Sequence, residues 1–122
     1  MQPLTVVLLQ NDSRIAESLV SVLANTFGAV HQVQSLGELR SSVAKHRAGV
    51  AILDMEAASM SDVEHLSREF PKACIVCTHR LADEDMWTAA VNAGAADVCP
   101  PSDTRGILRA ALNSSMTQSA AA

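Results

Sequence analysis

A chain of 122 residues is long enough to bury one real core and too short to build two. The formal charge of −4 and the scattered arginines exclude a basic stripe that would neutralise nucleic-acid phosphates, so direct DNA binding by this segment is not expected. Hydrophobic residues make up 48% of the chain but aromatic ones only 2%, which leaves a core of Val, Leu, Ile and Ala and suits parallel strands covered by helices.

The opening MQPLTVVLLQND has no charged region followed by a long apolar stretch and a cleavage site, and no run reaches membrane-spanning length. A cytoplasmic location without membrane contact is expected. LTVVLL before Gln10 reads as a first strand, and Ile15, Leu19, Val22, Leu23 and Phe27 repeat at helical spacing behind a cap at Asp12 or Ser13. AVHQV, around His31, is a second strand. Leu36, Leu39 and Val43 mark a second helix, with Ser35 and Glu38 spaced as a capping box.

VAIL forms a third strand ending at Asp54, and Val63, Leu66 and Phe70 form a helix that Ser61 and Glu64 are spaced to cap. ACIVC is a fourth strand ending before Thr78. A fourth helix carries Trp87, Ala90 and Val91, AADVC leads into Pro100, and Leu108, Ala111 and Leu112 define a fifth helix. Gly28, Gly49 and Gly94 follow the first, second and fourth helical stretches, where left-handed residues close helices.

Five alternations of strand and helix with short connections require right-handed crossovers, and therefore a parallel sheet with helices on both faces. Residues 1–116 are expected to form this domain. The small, polar end of the chain reads as a frayed tail or the start of a linker over 117–122.

Cys74, Cys77 and Cys99 are an odd number in a chain with no secretory signal, so reduced thiols rather than a disulfide framework are expected. Cys74 and Cys77 lie three apart in a strand and should face opposite sides, which argues against joint metal or redox use. His31, His46, His65 and His79 show no ligand spacing. The simplest place for Trp87 is against the sheet, and Asp83, Glu84 and Asp85 suit the first turn of a helix.

In open parallel sheets, ligands and reactions occupy the crevice at the carboxyl ends of the strands. Those ends carry Gln10, Asn11 and Asp12; Asp54; Thr78; and Pro100 with Pro101. VAILDM, CIVCTH, NAGAADV and the opening LLQNDSRIAESL stand in the order and spacing of bacterial response-regulator receiver domains, which the chain resembles over nearly its whole length. The resemblance implies a flavodoxin-like, doubly wound, five-stranded sheet of order 2-1-3-4-5 in three α/β/α layers. It also implies two-component signalling, with Asp54 at the phospho-acceptor position and Thr78 at the phosphoryl-contacting hydroxyl position.

The departures from the family pattern are as informative as the matches. Ungapped counting places Gln10 and Asn11 on the family's acidic pair, and a one-residue shift places Asn11 and Asp12 there. Either way the Mg²⁺ site built on Asp54, Asn11 and Asp12 loses carboxylates and is expected to be weak or absent. Pro100, Pro101 and Ser102 replace the family's Lys-Pro; Arg80 and Arg105 are poor substitutes for that ammonium. Val98 replaces the aromatic residue to which the family often couples its hydroxyl, and MEAASMSD lacks the usual Met-Pro and Gly.

A diverged receiver acting through protein contacts is therefore the first expectation, with a histidine kinase, another signalling protein or a C-terminal output domain as partner. An ordinary receiver phosphorylated on Asp54 is the second. A flavodoxin-like domain binding a small cofactor is the third, weakened by the lack of a glycine-rich phosphate cradle after the first strand. No nucleophile, base and orienting group form a visible set, so catalytic activity in its own right is not expected.

Overall fold

The computed structural model describes residues 4–121, with side chains over 4–112. Five strands and five helices alternate: β1 (Thr5–Leu9), α1 (Ser13–Ala24), β2 (Ala29–Val33), α2 (Leu36–His46), β3 (Val50–Asp54), α3 (Met60–Glu69), β4 (Cys74–Thr78), α4 (Glu84–Ala93), β5 (Asp97–Cys99) and α5 (Thr104–Ala121). The strands form one parallel sheet in the order β2-β1-β3-β4-β5. This is the doubly wound architecture expected from the sequence.

Strand alternation divides the core. Val6, Leu8, Val50, Ile52, Cys74 and Val76 point to one face, where Ala16, Leu19 and Leu23 of α1 and Ile107 and Ala111 of α5 cover them. Val7, Leu9, Ala51, Leu53, Ile75 and Cys77 point to the other, beneath Leu39, Val43, Val63, Leu66 and Ala90 of α2, α3 and α4. Both faces are covered, which is why the three inner strands read as unbroken apolar runs rather than alternating ones. Cys74 and Cys77 fall on opposite faces, as their spacing required, and all three cysteines are buried thiols.

The caps decide one open alternative and differ from expectation in two places. Asp12, not Ser13, caps α1, accepting from the N–H groups of Arg14 and Ile15. The capping box of α3 is Ser59 with Asp62 rather than Ser61 with Glu64, so Ser61 lies inside the helix; nearness in sequence left two serines competing for one role. Of the three glycines, only Gly94 is left-handed, with φ 114°, whereas Arg47 takes the left-handed cap of α2 at φ 50°. Ser35 caps α2 through the Glu38 N–H as expected, while the Glu38 carboxylate accepts from Gln34, one residue outside the box.

α5 extends over residues 117–121, which composition assigned to a tail or linker. Ala122 and the side chains beyond 112 lie outside the described residues. No helix among the described residues is long and apolar enough to cross a membrane.

Spacing gave no hint of one histidine pair. His31 on β2 lies level with Val7 on the face that α2 covers, and His46 in the last turn of α2 stacks on it, ring centroids 4.0 Å apart and planes 8° from parallel. Desolvation, then His31 and Lys45, hold the His46 pKa below its ordinary value of 6.5. The unfolded chain therefore takes up a proton at a higher pH than the folded one. Stability from this pair is present above pH 6.5 and is lost as pH falls through the depressed folded value. Urea midpoints measured from about pH 7.5 to pH 5 should fall on acidification, and His46→Gln should flatten that slope.

Candidate functional site

The same alternation that sorts the core also sets the site. Gln10 follows Leu8 by two, Asp54 follows Ile52, and Thr78 follows Val76, so all three continue the α1/α5 side of the sheet at its carboxyl edge. The parallel register aligns them: Leu9 pairs with Leu53, Asp54 with Thr78, and Thr78 with Cys99. Gln10, Asp54 and Thr78 thus form a polar row across the three inner strands, 7%, 1% and 0% exposed, and are the buried polar residues among those described.

Burial demands partners, and each has them. The Asn11 N–H donates to Asp54 Oδ2 at 3.0 Å, and the Glu56 N–H donates to Oδ1 at 3.0 Å. The β1–α1 and β3–α3 connections are therefore both fixed to one carboxylate. Gln10 Nε2 donates to Thr78 Oγ1 at 3.3 Å, and Gln10 Oε1 accepts from the Asp12 N–H at 3.2 Å. Across the mouth, the Arg80 guanidinium pairs with the Glu56 carboxylate, joining the loops that follow β4 and β3. His79 Nδ1 accepts from the Leu81 N–H, which holds the β4–α4 loop against its own strand end.

Of the residues singled out from the sequence, Asp54 and Thr78 are brought together, and Asn11 reaches Asp54 through its backbone rather than its side chain. Asp12 is exposed and its carboxylate caps α1. A divalent hard cation takes about six oxygen ligands, carboxylates prominent among them. Here one carboxylate lies in the row with both oxygens engaged, flanked by amides, and no group of three or more His, Cys, Asp or Glu able to hold a metal occurs among the described residues. As placed, these residues do not fit such an ion.

The surroundings of Cys77 and Cys99 disfavour the thiolate. Burial, then the charge of Cys99, pushes the Cys77 thiol up to about 12; burial, then Asp97 and Asp103, does the same for Cys99.

One sequence expectation is overturned nearby. Trp87 does not pack beneath α4 but lies 46% exposed on its outer side, where its indole N–H donates to Asp97 Oδ1 at 3.0 Å. The period-3.6 stripe through Ala90 is real, yet only Ala90 of α4 is buried, and Trp87 and the acidic first turn fall outside it. Leu81, in the preceding loop, is 72% exposed.

With this geometry in place, solved structures supply the comparison. A response-regulator receiver domain from Clostridium thermocellum superposes with a TM-score of 0.83 at 17% identity, covering 98% of this chain and 99% of that one. The N-terminal signal receiver domain of a two-component response regulator from Bacteroides fragilis gives 0.79 at 21%, covering 90% and 94%. The chain has the receiver fold. The signal receiver domain of a DNA-binding response regulator from Colwellia psychrerythraea shares this receiver fold with a TM-score of 0.78 at 14% identity, covering 94% and 98%. No protein-family profile and no curated protein matches the sequence.

Proposed function

We propose that the chain is a diverged receiver module of two-component signalling that works chiefly through protein contacts. Asp54 holds the acceptor position and Thr78 the hydroxyl position, with phosphorylation weak or absent. The observation that carries this reading is the state of Asp54. Its carboxylate is buried, both oxygens are engaged by backbone N–H groups, and the preceding strand end carries the neutral Gln10 and Asn11. Phosphoryl transfer relies on positioned cations to neutralise developing charge. Lys45 lies in the last turn of α2 and Lys72 precedes β4, so both lie toward the amino ends of the strands, opposite Asp54. Any Mg²⁺ at Asp54, Asn11 and Asp12 is held weakly in this reading.

The outward surface of α4, with Trp87 and Leu81 beside the β5 edge, is the proposed contact region, its partner a histidine kinase or other signalling protein. Residues 1–116 are the proposed receiver-like unit and 117–122 a tail or the start of a linker to an output domain. A cytoplasmic location, no membrane contact and no direct nucleic-acid contact complete the proposal, in keeping with the net charge.

A second reading, an ordinary receiver phosphorylated on Asp54, draws on the direct pairing of Asp54 with Thr78. Intact mass after incubation with Mg²⁺ and acetyl phosphate, or spectral change with beryllofluoride, separates the two. Substoichiometric modification, abolished in Asp54→Ala, is expected. Stoichiometric Mg²⁺-dependent modification would overturn the first reading in favour of the second.

A further inference from the structure

The misfit between the crevice and a divalent cation leaves a question of construction, namely what ties the strand ends together. A buried row with a carboxylate in it needs a cross-link, since three loops meet there and each brings polar backbone. The side chain of Gln10 is placed to provide one. Its Nε2 donates to Thr78 Oγ1, two strands away, and its Oε1 accepts from the Asp12 N–H, so one neutral amide joins the end of β4 to the first residue capping α1. Asp54 lies on the strand between, accepting from the N–H groups of Asn11 and Glu56.

We propose that the Gln10 amide is a built-in substitute for a bridging cation, so that the crevice loops are set in one arrangement without metal. The inference rests on the receiver reading only for where a cation would otherwise sit. Chemically, an amide suits this place because it donates to a hydroxyl and accepts from an N–H at once, which neither a carboxylate nor an ammonium can do. A carboxylate at position 10 would lose the N–H donor that now reaches Thr78 and would add a second negative charge to the row that holds Asp54, a charge that a hard cation relieves. Gln10 is a positioning residue here: it touches Thr78 and the backbone and holds them relative to Asp54.

The test is thermal unfolding with MgCl₂ titrated against an EDTA reference at constant ionic strength. The wild-type midpoint should stay flat. The double variant Gln10→Asp/Asn11→Asp should unfold at a lower temperature in EDTA and climb as Mg²⁺ is added. In a second arm, independent of whether that variant folds, Gln10→Met and Thr78→Val should each lower the midpoint by about 3–6 °C, and together by clearly less than the sum. A wild-type midpoint that rises with Mg²⁺, or strictly additive losses in the second arm, would overturn the proposal. Efficient phosphorylation of Asp54 would replace the diverged-receiver reading given above with the ordinary-receiver one while leaving a metal-independent wild-type midpoint untouched, so the two failures are distinguishable.

Discussion

Gly94→Ala should cost about 2–5 kcal/mol, the largest loss from any single added methyl group, as read from urea unfolding. Two independent penalties meet at this position. Gly94 closes α4 at φ 114°, where an L side chain is strained by about 1–2 kcal/mol, and its N–H bonds the last carbonyls of the helix. A Cβ at that point would lie 2.1 Å from Ser67 Oγ and 2.5 Å from Ser67 Cβ, far inside contact distance, so α3 and α4 would have to separate. The components can be resolved. Pairing Gly94→Ala with Ser67→Gly removes the overlap but not the backbone strain, so the double variant should be more stable than the sum of its singles predicts. Strict additivity would show that the helix contact plays no part.

Asp54→Ala should lose about 2–5 kcal/mol even with no phosphodonor, metal or partner present. Removing the carboxylate leaves the Asn11 and Glu56 N–H groups without their acceptor at a site where Asp54 itself is 1% exposed. Each orphaned donor costs about 1–3 kcal/mol, less whatever water can enter. Asp54→Asn should lose less, because one oxygen remains to accept while the new NH₂ must face a donor. Amide hydrogen exchange at Asn11 and Glu56 is the sharper readout: both should accelerate in Asp54→Ala, and slow exchange retained at either would show that Asp54 does not clamp that loop. Such a result would also reframe phosphodonor experiments, since a variant that loosens two loops is not a clean removal of an acceptor.

The sheet and its order were legible because the signal is redundant. Val6 to Leu9, Val50 to Leu53 and Cys74 to Cys77 are apolar on both strand faces, which only a doubly covered sheet tolerates. Asp54 and Thr78 could be found for a related reason, each being the first polar residue after such a run. The contact between Gln10 and Thr78 could not be read directly, since it joins residues 68 apart and depends on register. The parity was nonetheless present, as Gln10, Asp54 and Thr78 each continue the same face of their strand. Ser59 displaced Ser61 as a cap, and Arg47 took a left-handed position from Gly49, because helix ends turn on differences of one or two residues that local composition barely distinguishes. Trp87 was misplaced because helical spacing shows that a stripe exists without showing how wide it is. A ten-residue helix that buries only Ala90 leaves its indole outside, fastened to Asp97 rather than to the core.

That narrow seating has a mechanical meaning. α1 is nailed down by Ala16, Leu19 and Leu23 and α3 by Val63 and Leu66, so shifting either would open a hole in the interior. α4 buries only Ala90 fully, with Met86 and Ala93 half-buried against the core, and is fastened further by the cap at Gly94 and one polar strap from its tryptophan to the rim of the sheet. With one fully buried residue it is more lightly seated than α1 or α3, and it carries the bulkiest side chain on the outside. A neighbour gripping that indole would therefore have a handle on a lightly seated part of the shell, directly over the rim of the sheet.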